Sequence, residues 1–273
     1  MDNKYKFLNW ISREFEIEKV CYIKPTARGP YSLRVKQGKQ KYLIVFGQSE
    51  IQKFYIDRSI RMQKIFWDDY KEFFDFNFPI RSGEYLGIKY AIYDYYDDLV
   101  PFKGEKGLAI LESIYSKKAE IVEATDEIIE IIITNMLMAW PDSFHHEIKQ
   151  LKSYSKYINF LKSRTSIRIC KEHGDYNAEN VVRKGTKLYL MDFEFAKEKQ
   201  PIGLDRLDFL DSTGGFGQDN LEGKLKQELC DDINKLVDGK KNYFHIRLVE
   251  QRCLKIWKIL LDIRSMFQKR VKK

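Results

Sequence analysis

The sequence from His173 to Glu194, HGDYNAENVVRKGTKLYLMDFE, decides the fold. An Asp stands two residues after the His, an Asn follows five residues later, and a second Asp closes an apolar run. Val181-Val182 and residues 188–191 are predicted to form two short buried strands, joined by a turn at residues 183–186. Such a hairpin would bring Asn180 and Asp192 side by side.

The polar residues of this stretch have chemical roles in keeping with their types. Asp175, on a loop, can accept the proton of an attacking hydroxyl, so it is the predicted catalytic base. Asn180 and Asp192 offer hard oxygen ligands that suit Mg²⁺ held partly by protein and partly by nucleotide phosphates. His173 is predicted to be a buried hydrogen-bonding support for the loop rather than a proton carrier. Taken singly, each of these residues would be an ordinary turn or cap residue, and only the joint spacing indicates a site.

The spacing His-Gly-Asp-x-x-x-x-Asn, followed by an apolar strand and Asp-Phe-Glu, resembles the aminoglycoside phosphotransferase and choline kinase-like family. Its members are relatives of protein kinases that phosphorylate small molecules. Gly174 after the His, and Glu194 in place of the last Gly of Asp-Phe-Gly, favour this branch over a protein kinase. The resemblance implies a magnesium-dependent transfer of phosphate from ATP or GTP to a hydroxylated small molecule.

The fold that the resemblance implies is α+β and bilobal, of the protein kinase-like type. A small antiparallel β-sheet would form the N-terminal nucleotide-binding lobe, expected over residues 1–98. A mainly helical C-terminal lobe over residues 99–273 would carry the catalytic loop and bind the acceptor.

Composition sets the outer limits. A chain of 273 residues with 44% hydrophobic content can bury a large core, in one large domain or two lobes, and its 18 Phe and 17 Tyr exclude a disordered chain. No apolar stretch reaches about 18 residues, so we expect a cytoplasmic protein without stable membrane insertion. The four cysteines are far apart and are expected to be free thiols, with no zinc site: Cys21, Cys170, Cys230 and Cys253.

The formal net charge of +8 favours anionic ligands such as nucleoside triphosphates. No recognised nucleic-acid motif is present, so no nucleic-acid partner is expected. The surplus of positive charge also argues mildly against a strongly cationic acceptor.

The N-terminal third predicts sheet and helix in alternation. Residues 4–16 and 50–70 show helical spacing, residues 19–47 read as a three-stranded meander, and residues 78–93 read as a hairpin. In relatives the third strand of the meander carries a phosphate-binding Lys paired with a helix Glu. Here Val45 stands at that place, and the middle of the helix carries no Glu, only Asp57.

The nucleotide contacts are therefore predicted from neighbouring segments. Arg34, on the adjacent strand, could bind phosphate through its forked donors, although a strand Arg is usually solvated. Backbone groups of Asp94, Tyr95 and Tyr96 are expected to meet the purine, as in a hinge between lobes. The alternative is that these residues form an aromatic edge strand.

The C-terminal part predicts helices at residues 105–123, 126–140, 143–163, 221–237 and 243–268, with an acceptor-lining loop at residues 212–218. His145-His146 is not expected to bind a metal, because adjacent helical side chains point apart. Asp205, or else Asp208, matches the position at which relatives place an Asp that braces the catalytic loop. A helix cap is the alternative explanation.

Together these features predict a small-molecule kinase. The acceptor stays open among a sugar, an amino alcohol, a polysaccharide precursor and an antibiotic. The competing hypothesis is a pseudokinase-like nucleotide-binding module with weak or no transfer activity, motivated by Val45 and the missing helix Glu.

Overall fold

The computed structural model divides the chain into two compact units. One unit contains the described residues up to Val100 together with Val182–Glu194, and the other contains those of Pro101–Val181 and from Phe195 onward. The predicted acceptor loop, the two last helices, Asp208 and three of the four cysteines lie outside the described residues. The structure describes residues 3–15, 24–25, 30–102, 105–150, 155, 158–159, 161–203, 205–206 and 209.

The first unit is built on a five-stranded antiparallel sheet in the order β1-β2-β3-β6-β5. The β5–β6 turn places Leu86 and Gly87 at φ of 50° and 80°, the conformation that two-residue hairpin loops require. The elements up to Asp94 are α1 (Asn3–Glu14), β1 (Lys24–Pro25), β2 (Tyr31–Gln37), β3 (Gln40–Gly47), α2 (Glu50–Tyr70), β4 (Asp75–Phe76), β5 (Arg81–Tyr85) and β6 (Ile88–Asp94).

Helix α1 covers one face of this sheet. Phe7 and Ile11, four residues apart and therefore on one side of the helix, are fully buried. They join a cluster with alternate residues of the strands, including Leu33 and Val35 of β2, while Arg34 between them is exposed. The alternation along β2 thus assigns one face of the sheet to α1 and the other to different partners.

Helix α2 packs on the opposite face. Ile56 lies in a cluster with Ala91 and Tyr93 of β6, against which Val45 also packs. The helix begins with a capping box, in which Ser49 accepts from the Gln52 amide and the Gln52 side chain accepts from the Ser49 amide. The helix predicted at residues 50–70 is confirmed.

A second, small sheet contains the predicted hairpin that follows the catalytic loop. Its order is β4-β11-β10-β7, and β4 runs parallel to β11. The turn falls at Gly185-Thr186, where Gly185 has a φ of +58°. The two hairpin strands are confirmed near the predicted positions, with β10 at Val181–Lys184 and β11 at Lys187–Leu190. Strand β7, which pairs with β10, is Val100–Pro101.

The second unit combines helices with a three-stranded antiparallel sheet in the order β12-β9-β8. The helix predicted at residues 105–123 is wrong in its last part, because the chain leaves the helix at Lys118 and residues 120–123 pair with β9. Tertiary pairing of the β-branched pair Ile121-Val122 outweighs the helical pattern there. The elements are α3 (Glu105–Lys118), β8 (Glu120–Glu123), α4 (Asp126–Leu137), α5 (His145–Gln150), β9 (Ser166–Glu172) and β12 (Lys197–Pro201).

The expected α+β class, with a small antiparallel sheet in the N-terminal unit and helices in the C-terminal unit, is confirmed. The helix predicted to begin at Ser143 is instead preceded by a short 3-10 turn at Asp142–Phe144 and begins at His145. Among the described helices, none has both the length and the apolar content needed to cross a bilayer.

The packing of α1 on the sheet predicts that substitutions of two aromatic residues of this helix differ strongly in their effect on stability. Phe7→Ala removes a fully buried ring and is expected to lower the free energy of unfolding of the first unit by about 3–5 kcal/mol. Tyr5→Ala, at a side chain that is 52% exposed, is the matched control and should change it by about 0.5 kcal/mol or less. Denaturant unfolding measures both, and equal losses would contradict this packing.

Candidate active site

Strand β9 leads directly into the predicted catalytic loop, which begins at His173. Ile167, Ile169 and Cys170 are buried in this strand, and the two residues that follow them toward the loop, Glu172 and His173, are fully buried as well. Cys170 is a free cysteine, as predicted for a core residue. The loop therefore begins from a strand held on its inner face by the core of the second unit.

Asp175 and Asn180 face each other across the loop. The Asn180 Nδ2 donates to the Asp175 backbone oxygen at 2.9 Å and to Asp175 Oδ2 at 3.0 Å. Asn177 makes this possible, since its Oδ1 accepts from the amides of Glu179 and Asn180 and thereby turns the chain back. Because the Asn180 nitrogen is committed to Asp175, its Oδ1 is the atom left to face a cation.

Asp205 ties the loop to the second unit. Its Oδ2 accepts from the backbone amide of His173 at 2.5 Å, and its Oδ1 accepts from that of Gly174 at 2.7 Å. The bracing contact predicted for Asp205 is thus confirmed. His173 reaches the brace through its backbone amide, and its side chain is fully buried, consistent with a support of the loop.

Buried charge surrounds this brace. Burial raises the pKa of Asp205 to about 6, while the two loop amides and Lys197 act to lower it. Burial, and then the charge of Asp205, hold the pKa of Glu172 well above its usual range. Burial also raises the pKa of Tyr176, whose hydroxyl donates to the Gly107 backbone oxygen at 3.1 Å.

Gly174 is required by both conformation and space. Its φ of +73° lies in the left-handed region that favours glycine. A Cβ at this position would also collide with the backbone oxygen of Phe195 and would lie 2.8 Å from Lys197 Nζ. No side chain fits between the loop and the chain that follows Asp192.

Asp192 lies in the first unit, in the turn after β11. Its φ is +71°, an uncommon conformation for a residue other than glycine and one found in functional turns. The charges of Asp192 and Glu194 add to burial in raising the pKa of the Tyr93 hydroxyl.

Two contacts hold the Asp192 turn to its own unit. Phe193 is fully buried, with its ring 5.6 Å from that of Phe66 on α2 and 5.0 Å from that of Phe76 on β4. Arg58 on α2, only 4% exposed, donates through Nε to the Glu194 backbone oxygen at 2.9 Å. Helix α2 thus meets this turn with a buried cation.

The residues at the places of the ion pair that the sequence resemblance implies make other contacts. Val45 packs in the apolar cluster beneath α2. Asp57, the acid that the sequence offered instead of a helix Glu, pairs with Lys89 of β6 at 2.7 Å. Lys53 lies near two carboxylates, at 3.6 Å from Glu50 and 3.7 Å from Glu84.

Arg34 and the predicted hinge lie together in the first unit. The Arg34 guanidinium sits 4.6 Å from the centre of the Tyr95 ring, so in this structure it stacks on an aromatic residue. The Asp94 backbone oxygen accepts from Asn77 Nδ2 at 2.9 Å, and the Tyr95 amide donates to the Lys41 oxygen at 3.0 Å.

Tyr96 is held through its ring. Lys184 Nζ lies 3.8 Å from the ring centre, and the Tyr189 ring lies 5.7 Å away. Both partners belong to the β10–β11 hairpin, so the hinge segment and the hairpin form one packed surface.

The residues named for magnesium have a suitable donor set. Asn180 offers an amide oxygen and Asp192 an exposed carboxylate, and oxygen ligands of this kind suit Mg²⁺ when nucleotide phosphates and water complete the shell. No group of three or more His, Cys, Asp or Glu side chains fit to hold a metal occurs within the part of the chain that the structure describes.

His145 and His146 make separate contacts. The His145 Nε2 lies 2.8 Å from the Leu137 oxygen and 3.0 Å from the Trp140 oxygen, while the His146 Nε2 lies 2.8 Å from Gln150 Nε2. One ring is thus engaged at the end of α4 and the other on α5.

Four buried charged residues of the described part of the chain escaped the sequence reasoning: Arg58, Glu172, Lys197 and Arg206. Charged side chains in a helix or strand usually indicate a solvated face, so nothing in the local pattern marked them. The available signal was positional, since Glu172 directly precedes the loop and Lys197 follows Asp192 by five residues.

Comparison with known proteins gives likeness in structure only. No family model matches the chain, and no curated protein matches it. Similar solved structures include an aminoglycoside phosphotransferase from Streptomyces rimosus in complex with ADP and streptomycin, at 11% identity and a TM-score of 0.49, covering 95% of this chain and 99% of that one. The GDP complex of aminoglycoside 2'-phosphotransferase-IIIa has 12% identity and a TM-score of 0.44, covering 97% and 99%.

A choline/ethanolamine kinase family protein from Mesorhizobium loti is also similar, at 11% identity and a TM-score of 0.37, covering 88% of this chain and 84% of that one. These proteins belong to the classes that the sequence from His173 to Glu194 resembles. At such low similarity the functional argument rests on the geometry of the site.

Gly174 generates a prediction with a built-in control. Gly174→Ala should displace the loop and abolish turnover, because its Cβ meets a backbone oxygen that cannot move aside. Gly185→Ala carries a similar strain, at a φ of +58°, but meets nothing within 4 Å, so it should cost about 1–2 kcal/mol of stability and leave turnover intact. Thermal unfolding and steady-state kinetics distinguish the two, and an active Gly174→Ala enzyme would contradict the assigned contact.

Proposed function

We propose that this protein is a magnesium-dependent phosphotransferase that moves the γ-phosphoryl group of ATP or GTP to a hydroxyl of a small molecule. The observation that carries the proposal is the loop itself. Asp175 is 3% exposed, and its carboxylate accepts a hydrogen bond from the side-chain amide of Asn180. The backbone amides of the two residues before Asp175 are both hydrogen-bonded to Asp205. A carboxylate held in this way has a fixed position and can act on one reacting group, whereas a mobile carboxylate would be surrounded by water.

Asp175 is the proposed base. The acceptor oxygen forms a bond to the γ-phosphorus, the bond between that phosphorus and the bridging oxygen breaks, and the nucleoside diphosphate leaves. The hydroxyl proton passes to Asp175. Because this transfer needs little covalent chemistry from the protein, orientation of the hydroxyl by a fixed carboxylate supplies much of the effect.

Asn180 and Asp192 are the proposed metal ligands. They would hold magnesium, which when bound would neutralise the charge that develops on the phosphate oxygens. On the protein side, the hydrogen bond from Asn180 Nδ2 to Asp175 aims the remaining amide oxygen, and the left-handed backbone of Asp192 sets the direction of its carboxylate. His173 would support the loop rather than transfer a proton.

The first unit is the proposed nucleotide-binding lobe. Arg34, Asp94, Tyr95 and Tyr96 remain the proposed nucleotide contacts, with Arg34 having to leave the Tyr95 ring before it could reach a phosphate. The larger C-terminal part would then hold the acceptor, whose class we leave among a sugar, an amino alcohol, a polysaccharide precursor and an antibiotic.

The second candidate is a nucleotide-binding module with weak or no transfer activity. It is favoured by one observation, the packing of Val45 into an apolar cluster at the place where relatives hold a phosphate with Lys. The two candidates share the nucleotide and differ in whether an acceptor hydroxyl reacts.

Release of nucleoside diphosphate from ATP or GTP with Mg²⁺, across a panel of hydroxylated acceptors, tests the proposal. We expect Asp175→Asn to lower acceptor-dependent kcat by about 10²–10⁴-fold while nucleotide affinity persists, since a general base contributes that much. Asp192→Asn should lower both kcat and the magnesium-dependent part of nucleotide affinity measured by calorimetry.

The matched control is Asp68→Asn, at an exposed acid on α2, which should behave as the wild type. Wild-type turnover by Asp175→Asn would refute the base assignment. Magnesium-dependent nucleotide binding without any acceptor-dependent turnover would favour the binding module.

A further inference from the structure

The catalytic loop rests on a buried set of charged side chains that the proposed chemistry does not use. We propose that Lys197, paired with Glu172, is a positioning residue of the active site that holds the Asp205 carboxylate on the loop amides. This inference rests on the proposed function, because it assigns a role in the turnover of Asp175.

The pairing of Lys197 with Glu172 follows from strand register. The two residues are direct partners in the antiparallel β12–β9 pair, and the register shifts just beyond them, between Lys197 and Gln200. Lys197 is 3% exposed and Glu172 is fully buried. The two side chains thus leave neighbouring strands at the same place, and neither can be solvated by bulk water.

Glu172 is joined to the brace by a hydrogen bond. Its Oε2 accepts from the Asp205 backbone amide at 2.8 Å, and Tyr115 contributes a side-chain hydrogen bond to the same carboxyl group. Glu172 therefore fixes the backbone of Asp205, while the Asp205 side chain fixes the backbone of the loop. The chain of contacts runs from strand β9 through Asp205 to the residue that precedes Asp175.

Lys197 touches the other side of the loop. Its Nζ lies 2.8 Å from the point that a Cβ of Gly174 would occupy, so the ammonium group takes the space of the missing side chain. The same ammonium acts on both acids, lowering the pKa of Glu172 and that of Asp205 against the effect of burial. One cation thus serves two buried carboxyl groups and lies against the peptide of the loop.

The need for a cation follows from the state that Asp205 must keep. Only the ionised carboxylate accepts from both loop amides without a competing donor, yet burial favours its protonated form. If Lys197 were lost, Asp205 would stay protonated up to a higher pH, and the loop amides would lose an ionised acceptor. The ionisable groups that face Asp205 are Lys197 on β12, Glu172 on β9, and Asp175 and Tyr176 on the loop.

A role in stability alone would not require this arrangement. Replacing a buried ion pair by apolar residues of similar volume often leaves stability unchanged or raises it. The distinguishing property of Lys197 is its effect on the protonation of Asp205, which a pH profile of turnover reports and a melting temperature does not.

The test compares Lys197→Met, Glu172→Gln and the double variant with Lys199→Met, a control at an exposed lysine two residues along β12. Lys197→Met should lower kcat by about 100-fold, as loop misplacement does, with little change in KM for the nucleotide. Its acidic limb in the kcat profile should move to higher pH by about one unit or more. The double variant, which removes both charges, should recover about tenfold of the kcat lost by Lys197→Met, since contacting residues are not additive.

A second measurement does not depend on turnover. Hydrogen exchange of the His173 and Gly174 amides should accelerate in Lys197→Met and stay slow in Lys199→Met. If the wild-type protein showed no acceptor-dependent turnover, the proposed function would fail while exchange still tested the positioning role.

Three results would overturn the inference. These are unchanged exchange of the two amides in Lys197→Met, an unchanged pH profile of kcat in that variant, or wild-type kcat and pH profile in the double variant. If Lys197→Met did not fold, Glu172→Gln and the double variant would carry the test, with slower turnover than wild type in the double variant supporting the role.

Discussion

One carboxylate, that of Asp205, accepts hydrogen bonds from two successive loop amides, and the rest of the site depends on this constraint. Asp205 binds His173 and Gly174 through separate oxygens, so the peptide before Asp175 has little freedom of rotation. Asn180 then closes the loop by donating to Asp175. The position of the Asp175 carboxylate is thus set by contacts from the Asp205 side chain to the peptides before it and from the Asn180 side chain to Asp175 itself.

The same constraint explains why charge is buried there. An ionised carboxylate inside a protein needs donors and a nearby cation, and the structure supplies both from adjacent segments of the chain. The close approach of Lys197 to Gly174 shows that the glycine serves the electrostatics as well as the turn. Conformation, packing and charge therefore favour the same residue type at this position.

Much of this arrangement could be predicted from the sequence, because the loop motif has fixed spacing. The hairpin strands and the loop followed from that spacing and from apolar runs, while the Asp205 brace was indicated by the family resemblance, with Asp208 as its alternative. Glu172 and Lys197 could not be predicted, since their burial depends on the register of two strands that are distant in sequence. Strand β8 was mistaken for the end of a helix for the same reason: its partner, β9, is more than forty residues away.

The contact between Asn77 and the backbone oxygen of Asp94 has a consequence for inhibitor chemistry. If Asp94 to Tyr96 meet the nucleotide as proposed, a competing compound would present a donor to this backbone oxygen. Here the Asp94 oxygen already accepts from Asn77, so a compound must donate to the second lone pair of that oxygen and fit beside the buried Asn77 amide. Scaffolds that instead approach the proposed nucleotide contacts from the side of the Tyr96 ring would avoid this competition.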